Sequence, residues 1–385
     1  FDPAGRQVSF DYVNGRLSSV TDVLGGVTTY TYDTNSFLAS VTDQRGVTNV
    51  QNIYDSAGRV ILQRDGLSNA TRFAYNTPRA GDTSLTNALG YVTIHNHTNY
   101  LLEKITYPGG ATVQYTYDSP QNRTSIQDRN GNKVRFEYNG RGDVIRTIAP
   151  DGGITTVQYG DSRFPDLPTR KTDAAGVVTD WQYDAQGNTL VARRAVGTPL
   201  LCQQSWSYNA WGQVLAETNE LGNVTAYGYG TNAATAGLLL SVTDAEGHRS
   251  WYDYDELWRR TTVTDARGSG LGDFDHTWDY LYDDGDRLSE VIGPITYHYY
   301  EYDPIGNRTL ERDGNGNDWT YEYDSNSNLR FIREPLGRTT EYRYDALSRK
   351  VSAIDPNAHE TTYAYDALDN PTNSVRKMYG DGPDL

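Results

Sequence analysis

The chain has 385 residues, a formal charge of −16, 31 Tyr and 37 Gly, but one Cys and one Met. An acidic chain with no concentrated Lys/Arg cluster is not built to bind a phosphate backbone, so nucleic acid is excluded as an expected partner. A lone Cys202 excludes a disulfide framework and a Cys-based metal site, and no run reaches the roughly 18 apolar residues of a membrane helix.

Aromatics make up 12% of the residues. They can cover a large contact area, so this is not a disordered acidic chain. Mean hydropathy is −0.69. That combination predicts aromatic contact surface and polar turns with no thick aliphatic core. The chain opens on "FDPAGR", already inside the pattern that follows, with no signal peptide visible. The expectation is a piece of a longer polypeptide, with Phe1 starting a shortened copy and the last residues, "MYGDGPDL", leaving the pattern.

A Tyr that in most copies precedes Asp or Asn serves as a ruler along the chain. It recurs at Tyr12, Tyr32, Tyr54, Tyr75, Tyr117, Tyr138, Tyr159, Tyr183, Tyr208, Tyr229, Tyr254, Tyr282, Tyr302, Tyr323, Tyr344 and Tyr365. The gap between Tyr75 and Tyr117 predicts a degenerate copy at Asn96. This gives about 17 copies of roughly 22 residues, a period of repeat architectures. Most copies begin with aromatic-x-Tyr, as in Tyr30 and Tyr32, Phe73 and Tyr75, or Trp181 and Tyr183. Residues i and i+2 of a strand share a face, and the residue between is usually polar, so the period is that of a strand.

A turn follows at once, as in "YDSAGR" at 54–59, "YDAQGN" at 183–188 and "YDPIGN" at 302–307. Asp accepts backbone N–H bonds, Pro304 suits the second position, and Gly takes the positive φ. A second strand carries an apolar residue six past the Tyr at Leu38, Val60, Val144, Val214, Leu288 and Leu329, but Arg123, Arg260 or Arg308 elsewhere. A second turn closes the copy, as in "DQRG" at 43–46, "DRNG" at 128–131 and "DAEG" at 244–247. The copies together predict roughly 34 antiparallel strands, a flat ribbon of ~160 Å that must coil, close or break into blades. Aromatics at equivalent places are expected to stack as ladders. Longer loops are expected after Tyr159, Tyr183 and Tyr254, where prolines or glycines interrupt the pattern. No linker divides the array, so residues 1–385 are predicted to be one continuous array.

Tyr-Asp, x-x-Gly-Arg/Asn and Asp-x-x-Gly on this period resemble the Rhs/YD-repeat family, as in "YDSAGRV", "YEYDPIGNRT" and "YRYDALSRK". The resemblance covers essentially the whole chain. It implies an all-β fold, an antiparallel β-hairpin ribbon spiralling into a hollow shell, of which this chain is a fragment. Bacterial members resemble casings that hold a C-terminal toxin until export or injection, by type VI secretion or as insecticidal toxin complexes. Teneurins carry a similar shell on animal cells. The implied partners are the C-terminal toxin cargo of the same parent polypeptide and secretion-apparatus spike or adaptor proteins. The implied location is secreted or injected from a bacterium, cytoplasmic before export. The family's terminal self-cleaving "DPxGL"-like segment is not matched by "DGPDL" at 381–385, so no cleavage residue is assigned.

No catalytic, cofactor-binding or metal-binding residue is predicted, and no enzyme. Asp55, Asp184, Asp303 and Asp345 repeat with the period, whereas a catalytic pair should be a local exception. "HNH" at 95–97 puts His95 and His97 on one strand face, without a third ligand nearby. "GSGLGD" at 268–273 has no βαβ unit around it. "DGNGND" at 313–318 lacks the Gly and Glu of a calcium loop. Asn122 and Asn307 begin glycosylation-like tripeptides on turns. Besides the shell, two readings stay open. One is a cell-surface carbohydrate-binding or adhesion module, in which exposed Tyr and Trp stack on ligands. The other is a β-propeller, for which odd and even copies should differ and do not. The acidic balance suggests that a lumen would favour a basic or partly unfolded cargo.

Overall fold

The computed structural model describes residues 2–377, so Phe1 and the segment 378–385, including the "DGPDL" stretch, lie outside the described residues. The described chain forms 34 strands, from Ser9–Val13 to Pro371–Lys377, in one sheet. Successive strands pair antiparallel along the chain. This is the expected two strands per copy. Continuous pairing also replaces the separate four-stranded blades of a propeller. The chain divides into two compact units. One comprises the residues up to Leu101, Ile105–Ala111 and the residues from Asp279 onward; the other comprises Leu102–Lys104 and Thr112–Trp278.

One copy shows how the local sequence sets the geometry. The strand Asp318–Tyr323 runs into the turn 324–328 and returns as Leu329–Arg333. Tyr323 pairs with Leu329, but Glu322 pairs with Phe331, so Arg330 is an extra residue, a β-bulge. The same shift occurs beside Tyr32, Tyr117, Tyr254 and Tyr344. A type I turn followed by a left-handed residue creates such a bulge in a short hairpin. Directly opposed residues share a face. In these copies the ruler Tyr, the aromatic two before it and the residue six after it therefore line one face, and the residue just before the Tyr lines the other.

The aromatic ladder differs from the expectation. Equivalent tyrosines sit on alternate strands, two spacings or about 9.6 Å apart, beyond the 4.5–7 Å of ring contact. Ring contacts do occur at Phe37–Tyr54 (5.0 Å) and His298–Tyr300 (6.1 Å), neither of which is a pair of equivalent tyrosines. The intervening strand supplies the rung. Arg308 lies over Tyr300 (5.6 Å) and Tyr321 (4.7 Å), and Lys350 lies over Tyr342 (5.1 Å) and Tyr363 (5.3 Å). Each such cation–aromatic contact is worth on the order of 0.5–1 kcal/mol at a half-exposed site.

The ruler Tyr reaches backwards with its hydroxyl. Tyr75 donates to the Val60 carbonyl (2.8 Å), Tyr138 to Arg123 (2.7 Å), Tyr323 to Arg308 (3.0 Å) and Tyr344 to Leu329 (2.8 Å). Each acceptor is the residue opposite the preceding ruler Tyr. The bond uses the acceptor's main chain, so Val, Leu and Arg serve equally. That is why Arg replaces an apolar residue there without harm.

No hydrophobic side chain among the described residues is fully buried. The buried positions are small and polar, among them Ser125, Ser241, Ser352 and Thr264. The face opposite the tyrosines carries cross-strand ion pairs, such as Arg146–Glu137, Arg170–Asp180 and Arg312–Asp318. The sheet is therefore a single layer, and each copy is stabilised chiefly by its neighbours.

Within the first unit, early and late copies meet turn against turn. The Arg6 guanidinium donates to both Asp286 carboxylate oxygens (2.8 and 3.0 Å). Arg45 donates to the Ser325 carbonyl (3.1 Å), and the Asn326 amide donates to Asp65 (2.8 Å). These partners are 261 to 280 residues apart in sequence. The early partners belong to second turns and the late ones to Tyr-Asp turns. The two edges of the ribbon are thus chemically different, and one edge receives the other.

Candidate functional site: the turn carboxylates and the break in the repeat

Both turn classes are closed by the same carboxylate clamp. The Asp303 N–H donates to the Asn307 carbonyl (2.8 Å), and the Gly306 N–H donates to the Asp303 carbonyl (3.0 Å). Asp303 Oδ1 accepts the Ile305 and Asn307 N–H groups, and Oδ2 accepts the Asn307 side-chain amide (2.8 Å). Where Arg replaces Asn, its guanidinium takes the same oxygen, as Arg59 does on Asp55 (2.9 Å) and Arg349 on Asp345 (2.8 Å). The same Arg then lies over the next ruler Tyr: Arg59 over Tyr75 at 4.3 Å, Arg349 over Tyr365 at 4.7 Å. The motif thus closes its own turn and holds the following copy.

This geometry makes the turn carboxylates poor proton donors. Backbone and guanidinium bonds from Arg59 hold Asp55 below the usual carboxylate range. The Asn188 side-chain amide does the same for Asp184, outweighing its burial. Burial opposes ionisation of Asp345, but the Arg349 bonds outweigh it and its carboxyl is also lowered. A general acid near neutrality needs the opposite shift.

The remaining sequence candidates are each committed locally. Asp313 accepts the Asn315 and Asn317 N–H groups and the Asn317 amide, while Asp318 is held by Arg312. The Asn122 amide donates to Asp118 (3.1 Å) and the Asn307 amide to Asp303, so both are spent on turns. In the loop 265–276, the Asp273 carboxylate accepts the Ser269 N–H (2.9 Å) and hydroxyl, so this stretch closes on its own side chain. Among the described residues no group of three His, Cys, Asp or Glu is suited to hold a metal.

The array breaks its pattern between residues 75 and 100. Tyr75 pairs with Thr83 without a bulge, and Thr83 pairs with His95. His95, and by alternation His97, therefore occupy the tyrosine face, while Asn96 turns to the other face and donates to Asp82 (2.7 Å). The degenerate copy sits one residue away from the predicted Asn96, because the missing bulge shifts the parity. His95-x-His97 is what stands in place of aromatic-x-Tyr. Burial, with a smaller effect of His97, holds the pKa of His95 below its ordinary value.

Neither turn here has the Asp-x-x-Gly form. The segment 76–81 contains a cis Thr77–Pro78 bond, and Asn99 and Tyr100 both take positive φ in a two-residue turn. The break opens a cavity of about 680 Å³ lined by Arg59, Tyr75, Thr83, His97, Asn99 and Tyr100 among others. A second unpredicted departure is the loop 230–237, closed by a bridge between Gly230 and Ala236.

The RHS Repeat family pattern matches residues 12–48, 166–199, 235–269 and 323–360. The chain carries repeats of the Rhs/YD-repeat family in these four segments. This RHS-repeat chain is 28% identical over 144 residues to a probable deoxyribonuclease RhsB of Dickeya dadantii, covering 37% of the chain and 9% of that protein. It is 25% identical over 319 residues to double-stranded DNA deaminase toxin A of Burkholderia cenocepacia, covering 77% of the chain and 18% of that protein. Its fold is similar to the TcdB2-TccC3 crystal structure, with a TM-score of 0.58 at 14% identity, covering 97% of the chain and 25% of that structure. The RHS-repeat chain thus spans less than a fifth of these two relatives and about a quarter of the matched structure.

Proposed function

We propose that residues 1–385 are one continuous structural array, a wall segment of an Rhs-type casing that encloses a toxin carried on the same parent polypeptide. The observation that carries this reading is the commitment of the motif residues to the sheet. Tyr, Asp, Gly and Arg close turns and bind neighbouring copies, and none is left in the arrangement of an active centre. The segment does no chemistry and needs no cofactor. Relatives named as a deoxyribonuclease and a deaminase toxin support a toxin as cargo, as does the fold shared with TcdB2-TccC3.

In this reading the partner is the C-terminal toxin, and export runs by secretion or injection from a bacterium, with spike or adaptor proteins carrying the casing. The segment binds no nucleic acid; no described helix is long and apolar enough to cross a membrane. The test is to purify the full-length parent natively and measure intact masses after denaturation. A separate C-terminal fragment released only by denaturant is the expected result. A single uncut chain whose C-terminus is open to protease sinks the sealed casing and favours an adhesion protein.

A further inference from the structure

Where early and late copies of the first unit meet turn against turn, the contact has a fixed geometry. Each five-residue second turn bonds its first residue to its fourth and fifth, which leaves the third at the tip, as Leu24 is in 22–26. Leu24 lies against the Tyr-Asp turn 283–287: a Cβ added to Gly285 would stand 2.9 Å from the Leu24 Cδ1. Further along, a Cβ on Gly66 would stand 2.8 Å from the Ser325 carbonyl oxygen, so the two edges meet with backbone close to backbone. Leu67 is the third residue of that second turn, and Leu89 is the third residue of the next. There Ala88 shares a cavity wall with Ala346 and Leu347 of a late Tyr-Asp turn.

Among the described residues, five second turns carry leucine at this third position: Leu24, Leu67, Leu89, Leu221 and Leu336. The three beside the contact are 44%, 42% and 40% exposed. Leu221 and Leu336 are 85% and 99% exposed. Residue type and turn position are the same, so the difference is the covering edge. Leu336 also holds a left-handed backbone at φ 70, a conformation unfavourable for a side chain with a Cβ. Strain kept together with exposure points to a contact outside the turn. Leu221 has company. The second turn before it, lengthened to 195–201, exposes Leu200 and Leu201 two strand spacings away, about 9.6 Å. A clustered apolar patch of this kind marks a protein contact.

We propose that Leu221, with Leu200 and Leu201, and Leu336 are seats for Tyr-Asp turns of further copies in the same parent polypeptide. They lie on the edge that, at Leu24 to Leu89, already receives turns of that class, so the occupant has the same chemistry: a tight Asp-opened turn with backbone carbonyls at its surface. Receiving and received residues in the first unit are 261 to 280 apart. The same offset carries the occupants of Leu221 and Leu336 past residue 385. The inference rests on the proposed reading of this chain as one segment of a longer array.

The test is photo-crosslinking in the full-length parent, purified natively, followed by digestion and mass spectrometry. Leu24→p-benzoylphenylalanine is the control and should capture 283–287. Leu221→p-benzoylphenylalanine should capture, within one chain, a Tyr-Asp turn 261 to 280 residues C-terminal to it. Both probes replace side chains at turn tips, where the fold tolerates a larger group. Capture of the toxin, of a second copy, of another protein or of nothing at Leu221 overturns the proposal, and so does a control that misses 283–287. The casing reading is scored separately, by release of the C-terminal fragment. Capture with an open C-terminus keeps the seat and loses the casing, and a sealed fragment without capture does the reverse.

Discussion

The most repeated residue decision is the Asp that opens most of the turns. Its carboxylate holds two backbone N–H groups and a side chain four residues on, so its removal strands several donors at once. Asp345→Ala is expected to cost about 1–3 kcal/mol, read as a shift in denaturant midpoint with unchanged slope. The pH dependence follows from the same carboxylates. Asp55, Asp128, Asp184 and Asp313 are all held below their ordinary range, chiefly by bonds from the residue four on, so the stability they add is present above the unfolded Asp value near pH 4. That stability is lost as pH falls through the lowered folded values. Burial shifts Tyr183, Tyr323 and Tyr344 the other way, upward, so their contribution holds below about pH 10 and fails above it. Circular dichroism across pH should show a plateau bounded by an acid and an alkaline transition. An acid limb that starts near pH 6 would contradict the carboxylate account. Backbone conformation yields a sharper test. Glu334-Pro335-Leu336-Gly337 places a leucine at φ 70, 99% exposed, where the matching turn Tyr107-Pro108-Gly109-Gly110 has glycine at φ 82. Leu336→Gly should stabilise the chain by about 0.5–1 kcal/mol, the relief of left-handed strain less the added unfolded-chain entropy.

At the scale of the element, a hairpin is tied to the next by its tyrosine. The Tyr344 hydroxyl donates to the Leu329 carbonyl at 2.8 Å, and the Tyr365 hydroxyl donates to Lys350 at 2.8 Å. Tyr344→Phe keeps the ring and deletes the bond, so it should cost about 1 kcal/mol in thermal or denaturant unfolding. A cost near zero would mean that ring packing alone joins the copies. Strand number, turn positions and the alternation of faces were legible because each is local. Periodicity places Tyr30 and Tyr32 on one face, and Asp with Gly marks the turn. The ladder was misread for an equally physical reason: aromatics repeat once per copy, but strands repeat twice, so the intervening Arg308 or Lys350 fills the rung. The parity of residues 95–97 was also hidden. It depends on whether the hairpin before it carries a bulge, and no single residue in 76–82 announces that it does not.

At the scale of the molecule, the staples within the first unit matter most. Arg6 with Asp286, Arg45 with Ser325 and Asp65 with Asn326 join copies that are 261 to 280 residues apart. Arg45→Ala should raise amide exchange at 43–47 and at 324–327 together, while exchange in 133–148 stays unchanged. Faster exchange in the first segment alone would show that the contact does not couple the two copies. The sequence by itself determined the repeat, the two strands and two turns of each copy, the acidic balance and the family. These follow from hydrogen bonds and side-chain alternation within about 22 residues, which the local chain specifies on its own. Only the tertiary structure decided which turn edge meets which, that Arg and Lys interleave the tyrosines, and that His97 opens a cavity. Those outcomes depend on twist and bulges accumulated over many strands, and on contacts between residues that no local pattern connects.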